Sequence, residues 1–377
     1  MKKTFALLLV TLLLSCNTDY RIQDNYDFPI YTCELILSDA EAAHFTSGGL
    51  NENWNYGQLI DDHSHSLIRI KVRGGISKFY QKKNYKIEKL NSASGKTESS
   101  YFWDGTAADV SHIKNALVMA FLRKNSVPAS TVTPTAVYLN KQYYGFYQTL
   151  EPVDENFFKS RNIQLEFLIK AGLDKCDFKL DYNGIKKFPI TDGFEIKYPE
   201  NSNCSELAEL IENFYFADDA QRKEIAENRL NIESFITHLA VLTIFSLSDV
   251  YAKNYYLYRS DGKWGVIAWD NEEFMKRYAS ADPEKYWQEN ETQRNLLFAF
   301  FLSENGYRKE ILEKVNNLLT EENGKYLVDF TEETYSAIEK AVIYDRNTNK
   351  SIEEFYSEKE KLLSYIKKTF PLTHTDD

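Results

Sequence analysis

Three oxygen-bearing side chains open the functional reading of this chain. One stretch runs Ser246-Leu247-Ser248-Asp249-Val250-Tyr251-Ala252-Lys253-Asn254, continues as Tyr255-Tyr256-Leu257-Tyr258-Arg259, and returns as Trp264-Gly265-Val266-Ile267-Ala268-Trp269-Asp270. Between the two strand-like runs sits Asp261-Gly262, the signal of a two-residue hairpin. A hairpin brings its ends together. Asp249 and Asn254 enter the first strand and Asp270 leaves the second, so the three side chains are expected to converge. Carboxylate and amide oxygens are hard ligands suited to Mg²⁺, and an Asp-x-x-x-x-Asn spacing sets a proton-accepting carboxylate beside a metal ligand in phosphoryl-transfer sites. Such chemistry asks a protein mainly for positioning and charge neutralisation. The plainer alternative is a helix-capping Asp249 among surface turn carboxylates.

Phosphoryl chemistry also needs cations. Val72-Arg73-Gly74-Gly75 is followed by Lys82-Lys83-Asn84-Tyr85-Lys86-Ile87, a basic strand after a glycine turn. Basic groups that project from such a strand into a cleft could hold phosphate oxygens, and Glu151, at the end of the 143–150 strand pattern, could orient such a lysine. Strand alternation turns Lys86 away from Lys83, so one of the two is expected to enter a cleft. A solvated basic edge strand is the competing account. Asp61-Asp62-His63-Ser64-His65 has the composition of a metal tract but no committed third ligand, and reads as a polar loop.

The elements that position these residues fall into two halves. Strand patterns fill the first: Tyr31 to Leu37, Leu67 to Val72, Asn84 to Leu90, and the pair Thr135 to Asn140 and Tyr143 to Leu150 around an expected hairpin. One helix is expected from Ser111 to Lys124, with Ile113, Leu117 and Phe121 on its apolar side. Helical patterns fill the second half: Glu206 to Phe214, Ala220 to Ala226, a longer helix capped by Asn231 and carrying Phe235, Leu239 and Leu242, and several more between Leu302 and Phe370. The expected class is α+β in two lobes. A β-rich lobe over about residues 31–168 joins a mostly helical lobe over about 169–377 near Glu166 to Gly172.

Composition bounds what the chain can do. Among 377 residues, 45 Lys and Arg stand against 56 Asp and Glu, for a formal charge of −11, and 43% are hydrophobic. That is a globular balance. An acidic chain is a poor general partner for nucleic acid, whose affinity rests on phosphates neutralised by Lys and Arg. The 26 Tyr and 24 Phe fall at core-like positions and read as packing. At the N-terminus, Lys2 and Lys3 precede an apolar run from Ala6 to Leu14 and then Ser15-Cys16. This reads as a lipoprotein signal at residues 1–15, with Cys16 acylated and residues 16–30 as a tether. Loss of Lys2 and Lys3 would take the charge from −11 to −13. Cys33, Cys176 and Cys204 remain, without C-x-x-C spacing, and a Cys176–Cys204 disulfide is left open.

Taken together, these stretches resemble the CotH (spore coat protein H) kinase family of atypical secreted kinases. The resemblance rests on Arg73-Gly74, Lys83-Asn84-Tyr85-Lys86-Ile87 and Asp109-Val110-Ser111-His112-Ile113-Lys114-Asn115. It continues through Tyr138-Leu139-Asn140, Tyr144-Gly145-Phe146-Tyr147, Glu151-Pro152-Val153-Asp154, Lys253-Asn254-Tyr255-Tyr256 and Trp269-Asp270. Lys114-Asn115 stands where the family usually has Arg-Asn, and Trp269-Asp270-Asn271-Glu272 where it usually has Trp-Asp-x-Asp. The resemblance implies an atypical protein-kinase-like fold and transfer of phosphate from ATP to protein Ser or Thr, with Mg²⁺ or Mn²⁺. It implies Asp249 as the base for the acceptor hydroxyl, Asn254 and Asp270 as metal ligands, Arg73 and Lys83 as phosphate contacts, and Glu151 as the partner of the lysine. With the signal, the expectation is a lipid-anchored protein of the cell envelope, on the periplasmic face or surface of a Gram-negative-type bacterium. The alternative is a non-catalytic binding or assembly lipoprotein on the same fold.

Overall fold

In the computed structural model, which describes residues 26–46, 53–62, 64–247, 250–274, 283–288, 294–348 and 350–372, the alternating strands of the first half curl into a closed barrel. Its strands are β1 (Tyr31–Leu37), β2 (Asn55–Asp61), β3 (His65–Arg73), β4 (Asn84–Leu90), β5 (Thr97–Asp104), β6 (Val132–Leu139) and β7 (Gln142–Leu150), in the order β1-β2-β3-β4-β5-β7-β6. Neighbours run antiparallel except β1 and β6, whose parallel pairing closes the ring. Closure removes the sheet edges that an open sheet would expose. The period-two pattern places Leu35, Leu59, Ile68, Ile70, Ile87, Trp103 and Tyr147 in one buried cluster inside. Helix α1 (Asp39–Thr46) contributes Phe45 to that cluster, and α2 (Lys114–Lys124) lies between β5 and β6 in the chain.

After α3 (Glu155–Ser160), β8 (Phe167–Ala171) joins a four-stranded sheet of order β11-β8-β12-β13. The intervening β9 (Asp181–Tyr182) and β10 (Ile185–Lys186) form a small pair, and β11 spans Phe194–Tyr198. Helices α4 (Ser205–Phe216), α5 (Asp219–Arg229) and α6 (Ile232–Ile244) lead to β12 (Tyr255–Ser260) and β13 (Lys263–Ala268). The Asp261-Gly262 turn forms as expected. Both residues have positive φ (51° and 72°), which is the geometry that matches strand twist in a two-residue hairpin. Asn231 caps α6 by accepting from the Ser234 amide. From Phe235 to Ile244 every side chain of α6 is buried, and burial of each large apolar side chain stabilises the lobe by about 1.5–3 kcal/mol.

Four longer helices and one short one finish the chain: α7 (Pro283–Trp287), α8 (Leu296–Ser303), α9 (Asn305–Leu318), α10 (Glu321–Ile343) and α11 (Ile352–Thr369). No helix among the described residues is long and apolar enough to cross a membrane. The observed class is therefore the expected α+β. Cys33, Cys176 and Cys204 are buried free thiols, so the pairing of Cys176 with Cys204 is not formed. The expected tether and signal up to residue 25 lie outside the described residues, as does His63; His65 begins β3 and hydrogen-bonds Gln58 at 2.6 Å.

Candidate active site

The second sheet sets its hairpin against the mouth of the barrel, and a cleft of about 150 Å³ opens between them. From the sheet come Lys170 and Gly172 at the end of β8, Asn254 just before β12, and Trp269, Asp270 and Glu272 just after β13. The barrel contributes Arg73 at the end of β3, Gly74 and Gly75 just after it, Asn84 at the start of β4 and Asp104 at the end of β5; α2 adds Asn115. Asn254 and Asp270, expected to converge through the hairpin, do share this cleft. Asp249 lies outside the described residues.

The Asn254 and Asp270 side chains are held by unusual backbone. Asn254 and Asp270 have φ of 62° and 60°, in the left-handed region that Asn and Asp tolerate best among residues with a Cβ. The Asn254 amide donates to Ala171 O at 2.8 Å, which ties the loop to β8. Buried Asn295 holds the same loop from behind, donating to Tyr251 O at 2.8 Å and to Cys176 O at 3.2 Å. Asp174 bridges Lys253 (3.4 Å) and Arg294 (3.1 Å). On the far side, Asn115 accepts from both the amide and the side chain of Asn271, which fixes the Asp270–Glu272 turn. Asp109 explains the remainder of that signature: it accepts from Ser111 and from the Lys114 amide and shapes the entry to α2. Lys114 itself turns away to Glu358 on α11 at 2.7 Å.

Carboxylates crowd one wall. The Glu272 carboxyl titrates well above the ordinary range because it is buried and because Asp104, Asp270 and Asp109 surround it with like charge. Asn84 accepts from the Gly105 amide at 2.8 Å, and Asp104 from the Thr106 amide at 2.7 Å, so the β5 end cannot swing away to relieve the repulsion. A divalent cation is the natural counter-charge. Among the described residues no three His, Cys, Asp or Glu side chains form a closed metal cage. Oxygen donors of this kind suit Mg²⁺, which takes one or two carboxylates and completes its shell with waters and phosphate oxygens. Asp270, Asn254 and Glu272 fit that role by chemistry.

Two cations occupy the same cleft. Arg73 lies over the Phe102 ring at 4.0 Å and near Trp269 at 5.9 Å. Lys170 lies near the rings of Tyr256 (5.9 Å) and Trp269 (5.8 Å), and no carboxylate is within ion-pair distance of it among the described residues. Burial of its ammonium, then repulsion from Arg73 and Lys197, lowers its pKa to about 8. Sequence reasoning missed Lys170. The available signal was a single Lys inside the apolar strand Phe167-Leu168-Ile169-Lys170-Ala171, since a charge in a buried strand has to be used somewhere.

Two expected site residues are corrected in their placement. Lys83 does not line the cleft; its ammonium donates to Lys78 O at 2.8 Å and closes the short 3₁₀ turn Ile76–Phe79. It precedes the first residue of β4, so strand alternation never governed it. Glu151 is not its partner. Its carboxylate forks onto Arg161 at 2.9 and 2.8 Å and accepts from the Thr131 amide at 2.9 Å. Burial pushes that carboxyl up, but Arg161 and Thr131 together hold it below the ordinary value. Both residues brace the barrel instead.

Comparison with known proteins adds a family to this geometry. Among the solved structures it is similar to is the Shewanella oneidensis MR-1 toxin–antitoxin system HipA, HipB in complex with its operator DNA. That match has 12% identity and a TM-score of 0.31, and it covers 76% of this chain and 63% of that one. No curated protein matches. The model of the family described as CotH kinase protein matches residues 70–369, which takes in both walls of the cleft, and the chain therefore belongs to the CotH kinase family.

Proposed function

We propose that this kinase-like protein transfers the γ-phosphate of ATP to a Ser or Thr hydroxyl of another protein, with Mg²⁺ or Mn²⁺, from a position anchored to the cell envelope by lipid on Cys16. The observation that carries the reading is the single cleft that combines Asn254, Asp270 and Glu272 with Arg73 and Lys170. Asn254, Asp270 and Glu272 would hold the metal, whose charge would offset that of the phosphate oxygens. Arg73 and Lys170 would neutralise the remainder, replacing the expected pair of Arg73 and Lys83. Asp249, five residues before Asn254 in the chain, would accept the hydroxyl proton as the acceptor oxygen bonds to the γ-phosphorus and the bond to the ADP oxygen breaks. Export is supported by Lys2, Lys3 and the apolar run that ends at Cys16.

The test is a thermal-shift and label-transfer experiment on the purified protein with γ-labelled ATP. ATP with Mg²⁺ or Mn²⁺ should stabilise the wild type and label it or a Ser-rich acceptor, and Asp270→Ala should lose both effects. No metal-dependent shift in the wild type, or an equal shift in Asp270→Ala, removes the kinase reading. A shift without transfer favours the scaffold alternative. Cys16→Ala should move the protein from the membrane fraction to the soluble fraction.

A further inference from the structure

Of the basic stretch from Arg73 to Lys86, Arg73 enters the cleft, Lys82 and Lys83 are buried, and Lys86 stands on the outer face of the barrel beside the cations of β3. On β3, Arg69, Lys71 and Arg73 alternate along one face. On β4, Lys86 stands directly opposite Lys71, and Glu88 opposite Arg69. The ring of Trp54 gathers three of them, with Arg69 at 4.4 Å, Lys71 at 4.7 Å and Lys86 at 5.9 Å. Glu88 is the one carboxylate in the group, and it is shared between Arg69 (2.5 Å) and Lys86 (2.6 Å). Among the described residues Lys71 and Arg73 have no carboxylate partner.

Two features make this more than a solvated face. Like charges directly opposite each other on a sheet are destabilising, and Lys71 against Lys86 is such a pair in a chain whose overall charge is −11. The stripe also leads somewhere: its last member, Arg73, lines the cleft and stacks on Phe102, whose own register partner is Lys86.

We propose that the outer face of β3 and β4 is a docking track for an acidic, extended protein segment that flanks the acceptor hydroxyl; its assignment to the acceptor rests on the kinase reading above. Cations at alternate strand positions repeat every ~6.6–6.8 Å, and carboxylates at alternate positions of an extended segment repeat at the same distance. The backbone of β3 is already paired on both sides by β2 and β4, so the segment is recognised by side chains across the face and does not add as a strand.

The experiment uses the full chain and fluorescence anisotropy with two labelled peptides, each with one serine, bearing either glutamates or glutamines at alternate positions. The glutamate peptide should bind roughly tenfold tighter, and the difference should shrink as salt is raised. The Lys71→Ser, Lys86→Ser double variant should lose most of that preference and keep the wild-type thermal shift with ATP and metal. Equal affinity for the two peptides overturns the proposal, as does a double variant that keeps the preference. Binding of phosphatidylglycerol vesicles or of a single-stranded oligonucleotide in place of the peptide also overturns it. Glutamate-peptide binding by a wild type that shows no ATP shift breaks the kinase reading and leaves the docking track standing.

Discussion

Lys82 and Lys170 are both withdrawn from solvent, and they do opposite things. The ammonium of Lys82 is matched on every side: Asp345 lies at 2.5 Å, Phe146 O accepts from it, and the Tyr147 ring lies at 4.7 Å. Asp345 in turn accepts from the Phe146 amide at 2.9 Å and from the Asn347 amide at 2.8 Å. It fits only because Gly145 has no Cβ; one added there would sit 2.8 Å from its carboxylate oxygens. Lys170 meets rings and other cations. The first arrangement satisfies a charge and locks the loop after α10 onto the barrel. The second keeps a charge unsatisfied beside a wall of carboxylates, which is how a protein holds a binding site ready. Burial alone therefore does not separate structural from functional lysines; the identity of the partner does.

The comparison can be broken by substitution. Asp345→Ala leaves the Lys82 charge buried and unpaired, and should cost about 3–5 kcal/mol in urea unfolding, the largest stability effect expected here. Lys170→Met removes the cost of burying the ammonium, so it should leave the unfolding midpoint at or above the wild-type value while lowering kcat/KM for ATP roughly 10²–10³-fold. If the two variants exchange these phenotypes, the assignment of roles is wrong.

A pH series sharpens the same contrast. Lys170 is charged below about pH 8 and neutral above it, so affinity for ATP with metal should be full at neutral pH and fall as pH rises past about 8. Because its folded pKa is depressed, the stability cost of burying the ammonium is present below about 8 and relaxes above it. Lys170→Arg should abolish the fall in affinity, as titration calorimetry would show. Glu272 titrates in the other sense: its raised pKa means a proton competes with metal, so Mn²⁺ alone should bind more tightly as pH rises, and Glu272→Gln should flatten that dependence. The smallest effect belongs to Glu151→Gln, which loosens the fork to Arg161 and should cost about 1 kcal/mol with an unchanged KM for ATP. A large rise in that KM would restore Glu151 to the site.

Much of the fold was legible because its signals are local. The Asp261-Gly262 hairpin, the Asn231 cap and the alternation of β3 depend on residues a few positions apart, and each appears where the pattern placed it. Asn254 and Asp270 were legible for the same reason: a hairpin with a known turn fixes which ends meet. Lys83 and Glu151 were not. Their assignment needed contacts between distant segments, and the lysine next door shows how far these reach, since Lys82 finds Asp345 across 263 positions of sequence. Asp104 and Asn115 joined the cleft through barrel closure and helix docking, for which the sequence carries no short-range mark.

By itself the sequence determined the α+β class, the oxygen-donor character of the 249–270 segment and the presence of a basic stripe near residue 73. These follow from side-chain chemistry and periodicity, which the chain carries whatever its neighbours are. The tertiary structure decided which cations enter the cleft, Arg73 with Lys170 in place of Lys83, and which face outward beside Trp54. That choice belongs to packing. A charge goes where a partner, a ring or an opening awaits it, and those are assembled only when the barrel and the second sheet meet.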